Sequence, residues 1–245
     1  MNKKIFKKYL NWTLDLIFPG FCPLCRNQAF ADGEHYSCLS CLDELPWVIG
    51  TRCELCGIPM AGIDFRGLRC TNCREENLSF ESGRCMMLLD VKGKNLIHEM
   101  KYHGVKDVIR DFPAWVERSP GFVEYLVNSI LIPVPLHPKR LQSRGFNQSQ
   151  WIAEAMMRET KGSSEVYDCL RRTKNTPTQT KFDRSERKKN VKNAFALARV
   201  AVVIIYETYI LSNNVFTTGS ILNTCAAVLQ ETGISRLRVA ILDHR

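Results

Sequence analysis

Eight cysteines in four Cys-x-x-Cys pairs crowd the first 73 of 245 residues, and they constrain the chain more than anything else in it. The pairs are Cys22/Cys25, Cys38/Cys41, Cys53/Cys56 and Cys70/Cys73. Two intervening residues let both sulfurs of a tight turn face one ion, and two such turns complete a tetrahedral site of four thiolates. Twelve residues separate Cys25 from Cys38 and thirteen separate Cys56 from Cys70. This repeat predicts two zinc ribbons in tandem, with the first two pairs on one ion and the last two on a second; interleaved pairing is the alternative. Four thiolates leave no open position, so both ions are expected to be structural, each site carrying a charge of roughly −2. The short segments "YSC" and "LRC" read as strands of ribbon hairpins whose apolar core is too small to fold without metal.

The remaining cysteines, Cys85, Cys169 and Cys225, are scattered and read as small apolar residues. A disulfide framework would call for a secretory signal. The N-terminal stretch "MNKKIFKKYLNWTLDLIFPG" is basic and then apolar, but its apolar part is short, contains Asp15 and lacks a small-residue cleavage site. Ile5, Tyr9, Trp12 and Leu16 fall on one helical face, which predicts an amphipathic helix over residues 1–20 packed on the body, with a membrane-surface role as the alternative. No run approaches the roughly 18 apolar residues that cross a bilayer. The expected compartment is the cytoplasm.

Behind the cysteines the texture changes. "RCMMLLDV", "SILIPVPL", "VAVVIIYETYIL" and "RLRVAILD" read as strands; "NLIHEMKYHG", "DVIRDFPAWVE", "NQSQWIAEAMMRET" and "SILNTCAAVLQETG" read as helices, the second restarting near Pro113. Alternation of this kind predicts an α/β domain over residues 81–245, a mostly parallel sheet flanked by helices, preceded by a ribbon domain over 21–80. Hydrophobic content of 45% and charged content of 24% suit such a globular chain. Ligands of parallel sheets lie beyond the C-terminal ends of the strands. "NNVFTTGS" stands between a strand and a helix, where Thr217, Thr218, Gly219 and Ser220 can offer N–H groups, hydroxyls and a helix N-terminus to one phosphate. A plain helix cap is the bland reading of the same residues.

Net charge is +9, and fourteen Lys or Arg stand against six Asp or Glu between Lys139 and Lys192. That surplus is either a solvated face or a surface that meets polyanions. His98, His103 and His137 have no acid at a telling spacing and are expected to be structural.

The CxxC array, "PVPLHPKRLQSRGFNQSQ" at 133–150, "RTKNTPTQ" with "RSERKKNVKNAF" at 172–195, and "NNVFTTGS" follow one another in an order that resembles the ComF family of competence-associated proteins. The family joins cysteine-rich zinc ribbons to a type I phosphoribosyltransferase-like domain. The resemblance implies a role in natural transformation and DNA uptake, and a site for phosphoribosyl pyrophosphate accompanied by Mg2+ only when that ligand is bound. In an active transferase Lys139, Arg140 and Arg144 would contact pyrophosphate, and the segment 173–190 would form a mobile flap. In a nucleic-acid protein the same residues, with Arg187, Lys188 and Lys189, would neutralise DNA phosphates while Phe146 or Trp151 stacks on a base. Core positions for both aromatics are the alternative.

One departure decides between these. Such transferases carry two acidic residues before the phosphate loop that hold the ribose hydroxyls; here Asn213 and Asn214 stand there, and Ile221 replaces a further threonine. Hydrogen bonds to charged groups are worth roughly 1.5–3 kcal/mol against about 1 for neutral ones. The expectation is a degenerate site that keeps its phosphate loop and transfers weakly or not at all, in a protein that assists single-stranded DNA handling. An active transferase with an unknown acceptor, and a ribbon scaffold for another competence protein, are the rivals.

Overall fold

The apolar runs assemble into one five-stranded sheet in the order β1-β7-β6-β2-β3, with every neighbouring pair parallel. The computed structural model describes residues 22–27, 36–60, 68–103, 106–176, 191–198 and 207–244, apart from the side chains of residues 102 and 103. The expected helix at 1–20 lies outside them. The strands are β1 (Ser82–Leu88), β2 (Ile130–Pro133), β3 (Glu165–Val166), β6 (Tyr209–Phe216) and β7 (Leu237–His244). Strands β4 (Leu170–Arg172) and β5 (Phe195–Leu197) form a separate antiparallel pair whose connection holds the basic segment.

Both faces of the sheet are covered, as continuous apolar strands require. Leu131, Ile210, Ala240 and Leu242 point into one core; Ile130, Ile132, Leu211, Val239 and Ile241 point into the other. The first face carries α3 (Val91–His98), α4 (Phe112–Glu117), α5 (Phe122–Leu126) and α7 (Gln148–Glu159). The second carries α8 (Ser220–Gln230) and the β4–β5 pair. Helix periodicity explains the choice of face: Ile152, Ala153, Ala155 and Met156 line the buried side of α7, and Leu222, Cys225, Ala226 and Leu229 that of α8.

The helix starts follow ordinary capping. Asp90 accepts from the Gly93 N–H at 2.7 Å to open α3, and Asn147 accepts from Ser149 at 3.2 Å to open α7. The segment "NLIHEMKYHG" changes to a π-turn at Glu99–His103 instead of staying α-helical. A 3₁₀ turn at Lys106–Asp111 precedes α4, so the helix restarts beside Pro113 as its position after "DVIRD" predicts. Helix α8 stops at Gln230, and Gly233, at φ 92°, closes the turn beyond it.

The ribbons are built into this layered body. Residues 46–48 run antiparallel to β1, with Val48 N–H bonded to the Met86 carbonyl at 2.8 Å and Leu88 N–H to Pro46 at 2.9 Å. Cys22, Leu24, Cys41, Leu42 and Leu45 are buried in the first core, whereas Cys53, Leu55, Cys56, Cys73 and Phe80 are buried in the second. One cysteine cluster therefore sits on each face of the sheet. Buried Asp111 fastens the first by accepting from the Tyr36 and Ser37 N–H groups at 2.5 and 2.8 Å. At the second, a Cβ on Gly57 would lie 2.6 Å from the Cys85 nitrogen, so ribbon and strand touch backbone to backbone there. The expected hairpin strands "YSC" and "LRC" do not form: Cys38 and Cys70 instead cap short helices α1 (Leu39–Asp43) and α2 (Thr71–Arg74), which carry the second pair of each cluster.

Candidate functional site

The two cysteine clusters are repeats of one geometry. Cys22, Cys25, Cys38 and Cys41 form one group and Cys53, Cys56, Cys70 and Cys73 the other, with the sulfurs of each within 4.8 Å of one another. In each, a reversed turn after the first pair is closed by an N–H bond to the first cysteine's carbonyl, Arg26 to Cys22 at 2.8 Å and Gly57 to Cys53 at 2.9 Å. Both residues have positive φ, 60° and 77°. Backbone N–H groups of Cys38 and Cys70 point at the sulfurs of Cys22 and Cys53, at 3.4 and 3.3 Å. A tetrahedral site at the usual zinc–sulfur bond length sets sulfurs about 3.8 Å apart. The Cys25–Cys38 and Cys56–Cys70 separations are 3.8 and 3.7 Å. Two sites of four cysteines each thus fit two structural zinc ions, paired in sequential order.

Sheet order places the second site. The chain steps from β2 outward to β3, and from β6 outward to β7 on the other side, so the order reverses between β2 and β6. Ligand crevices of open parallel sheets lie at such a switch point. The segment after β6 is the loop Thr217–Ser220, and the segment after β2 leads into α6 (Pro138–Arg144) with Lys139, Arg140 and Arg144. Strand β6 runs through Asn213 and Asn214 to Phe216, so only Thr217, Thr218 and Gly219 make the turn.

Gly219 is the residue the turn depends on. Its φ is 70°, and an added Cβ would lie 2.7 Å from Cζ of Phe216. That ring stacks on His244, with centroids 4.8 Å apart at 20°. The Thr218 and Ser220 hydroxyls share a hydrogen bond of 2.7 Å at the start of α8. Hydroxyls and the helix's first N–H groups are therefore gathered at one point.

The two asparagines differ sharply. The Ser149 hydroxyl on α7 donates to Asn213 Oδ1 at 3.2 Å, and the Asn213 amide donates to the Val215 carbonyl at 3.1 Å. Asn214 is equally buried but makes no side-chain hydrogen bond among the described residues. Sequence alone does not separate two adjacent amides with one expected role.

The basic residues are also not equivalent. Lys139 is exposed; Arg140 donates to the Thr176 carbonyl, and Arg144 to Gln148 at 2.9 Å. Arg187, Lys188 and Lys189 lie outside the described residues. Phe146 and Trp151 are half-buried and stack on each other at 4.2 Å and 14°, an arrangement neither in the deep core nor open to a base on both rings. His137 caps α6 by accepting from the Lys139 N–H at 3.2 Å, and His98 is exposed in the last turn of α3. The side chain of His103 lies outside the described residues.

A buried polar cluster under the sheet's C-terminal edge has no counterpart in the sequence reading. Asp243, at the end of β7, is fully buried, and both its carboxylate oxygens lack a hydrogen-bond partner among the described residues. Burial, then the neighbouring Asp90, pushes its carboxyl up to about 8. Lys101 lies nearby; burial and then Arg144 bring its ammonium down to about 8, with Asp243 opposing. The one available signal is a charged residue inside the apolar run "VAILDH".

Two cavities adjoin the loop. One, of about 140 Å³, lies between the second cysteine cluster and the loop, walled by Cys56, Cys70 and Cys73 on one side and Thr217 and Thr218 on the other. The second, of about 430 Å³, reaches from Thr218 and Ser220 to Lys192 and Asn193. Among the described residues no helix is long and apolar enough to cross a membrane.

Comparison with known proteins agrees with this architecture. A double zinc ribbon domain model matches residues 13–74. Competence protein F of Haemophilus influenzae is 26% identical over 75% of this chain and 82% of its own length. The DNA utilization protein YhgH of Escherichia coli is 27% identical over 91% of this chain and 96% of its own. Competence protein ComFC of Bacillus subtilis is 23% identical over 86% and 89%. The chain is thus similar over most of its length to proteins named competence protein F, ComFC and DNA utilization protein YhgH, and its front matches a double zinc ribbon domain.

Proposed function

We propose that this chain is a cytoplasmic competence protein that assists the handling of incoming single-stranded DNA, with a phosphate-binding loop left from a phosphoribosyl site that no longer transfers efficiently. The names of the relatives, competence proteins and DNA utilization proteins, support the first part. The observation that supports the second is a contrast within one short stretch of chain: Gly219, at φ 70°, makes the left-handed turn into α8, while Asn213 is bonded inward to Ser149. The loop keeps its donors; the ribose grip does not keep its charge.

The DNA reading draws on the basic surplus. Lys139 on α6, with Arg187, Lys188 and Lys189 in the sequence between β4 and β5, supplies cations that can neutralise successive phosphates. A second reading, an active transferase using phosphoribosyl pyrophosphate with Mg2+, is favoured by the loop's place at the switch point of the sheet.

Salt-dependent binding of a fluorescent single-stranded oligonucleotide tests the DNA reading. Affinity should fall steeply with salt, and Lys188→Glu with Lys189→Glu should weaken it alike for every sequence and flatten the salt dependence. Absence of binding at low salt, or indifference to that double change, would leave the basic segment as a solvated surface.

A further inference from the structure

Two arginines converge on one tyrosine at the end of the sheet opposite the Thr217–Ser220 loop. Arg84 on β1 and Arg238 on β7 lie 4.9 and 5.6 Å from the centre of the Tyr125 ring, which α5 brings to the N-terminal ends of these strands. Strand register accounts for the meeting. Ser82 stands opposite Arg238 and Arg84 opposite Ala240, so Ser82, Arg84 and Arg238 share one face of adjacent strands. The Ser82 and Tyr125 hydroxyls are hydrogen-bonded at 2.9 Å. Arg238 comes six residues before His244, which pairs with Phe216 at the start of the loop, so about 20 Å of strand separates the two places.

Neither charge is answered by an acid. Arg84 donates to the Gly83 carbonyl at 3.1 Å, and among the described residues no carboxylate pairs with Arg84 or Arg238. Lys92 and Arg118, by contrast, are paired with Glu44 and Asp43. Tyr125 is no counter-ion either, because burial pushes its hydroxyl up to about 12 and keeps it neutral. Like charges on one face of neighbouring strands repel. Both arginines are half-buried, where water screens that repulsion less than on an open surface. A ring explains one guanidinium held against it; a second at the same ring adds repulsion along with contact. An anion between the two would turn the repulsion into attraction.

We propose that Arg84 and Arg238, flanked by Tyr125 and Ser82, form an oxyanion site for a phosphate dianion, either free inorganic phosphate or the terminal phosphate of a nucleic-acid strand. A guanidinium fork matches carboxylate and phosphate oxygens alike. Two forks carrying two charges match a phosphate dianion, whose oxygens suffice for both, better than a carboxylate with one charge and two oxygens. The site stands apart from the Thr217–Ser220 loop and is independent of how that loop is read.

Thermal melting of the zinc-loaded full chain in inorganic phosphate, against chloride of equal ionic strength, tests this. All proteins carry Thr218→Ala, so that the loop contributes little to the response. Phosphate should raise the melting temperature in a concentration-dependent way. Arg84→Gln and Arg238→Gln should each weaken the apparent phosphate affinity about tenfold, as loss of a charged hydrogen-bond donor implies. Arg84→Lys, which keeps the charge and loses the fork, should recover only part of it. Each variant is read against its own melting temperature in chloride, so a change in stability does not pass for a change in affinity. A merely structural clamp on Tyr125 would lower that temperature and leave the phosphate response intact. A 5′-phosphorylated oligonucleotide that binds tighter than its unphosphorylated twin, with the difference lost in Arg238→Gln, identifies a strand end as the source; equal binding of the twins identifies free phosphate. No stabilisation by phosphate beyond chloride, or a response that survives both Gln variants, would overturn the site.

Discussion

The Ser149 hydroxyl and the Asn213 side-chain carbonyl are joined by a hydrogen bond of 3.2 Å between helix α7 and strand β6. With the Asn213 amide bonded to Val215 at 3.1 Å, both ends of this side chain are committed to the protein interior. Asn214, its neighbour, has no such commitment among the described residues. The two positions that would hold a ribose therefore answer differently to the same substitution.

Asn213→Asp is expected to destabilise the chain. It replaces the donor to the Val215 carbonyl with a second oxygen in a buried place, at a cost of about 1–3 kcal/mol. Asn214→Asp should instead tighten ribose 5-phosphate binding by about two- to thirtyfold, since a charged acceptor adds about 0.5–2 kcal/mol over a neutral one. Melting curves and calorimetry on the two single variants check both outcomes. Equal effects of the two changes would contradict the inward orientation of Asn213.

Gly219→Ala should remove phosphate binding at the loop and lower stability by upwards of about 1 kcal/mol. A left-handed alanine costs about 1–2 kcal/mol, and here its Cβ would also press on Phe216 at 2.7 Å. Displacing Phe216 disturbs its stack on His244 as well. Wild-type melting behaviour and ligand binding in this variant would mean that the loop does not adopt this turn.

Removal of zinc should unfold more than residues 22–73. Cys22 and Cys41 of the first cluster are buried with Met86, Leu96 and Trp115, and Cys53, Cys56 and Cys73 of the second with Leu211, Leu222 and Ile241. Each metal site is thus part of a core under the sheet. Elemental analysis is expected to give two zinc ions per chain, and strong chelation to bring the melting of ribbon and sheet down together. A chelated protein that keeps the sheet's melting temperature would show that the ribbons are energetically separate.

Asp243 should make stability depend on pH. Its carboxyl is raised to about 8 in the folded chain against about 3.9 when unfolded. Between those values the folded state holds a proton that the unfolded state has lost, so stability falls as pH rises from about 4 to about 8. Asp90 reinforces the shift, and Lys101 and Lys94 oppose it. Asp243→Asn should raise the melting temperature near pH 8 and change it little near pH 4. Denaturation at a series of pH values checks this; an unchanged profile in the variant would assign the dependence to other groups.

Sequence periodicity locates four of the sheet's five strands because buried parallel strands are continuous apolar runs, but it misses the two-residue β3 and ends β6 before the polar Ser212–Asn214 that the strand includes; the cysteine spacing locates both metal sites because tetrahedral thiolate geometry leaves little choice. The Thr217–Ser220 turn is legible through the same logic of strand, glycine and helix start. Three features are not. The inward turn of Asn213 depends on Ser149, which is 64 residues away in sequence. The seat of each ribbon on opposite faces of the sheet comes from contacts such as Val48 to Met86 that no local pattern encodes. The Asp90–Asp243–Lys101 cluster is assembled from three separate segments, two of which place their charge beside apolar runs that read as ordinary element ends.

What phosphoribosyl pyrophosphate does at the loop separates a surviving phosphate site from a working transferase. Zinc-loaded protein should be titrated with it in the presence of Mg2+, with pyrophosphate release followed in the same samples and Thr218→Ala run in parallel. Weak binding, near the millimolar range of about −4 kcal/mol, is expected, with the ligand returned intact and the affinity lowered further by Thr218→Ala. Pyrophosphate release at the about 1–1,000 per second typical of enzymes, or binding that ignores Thr218→Ala, would contradict it.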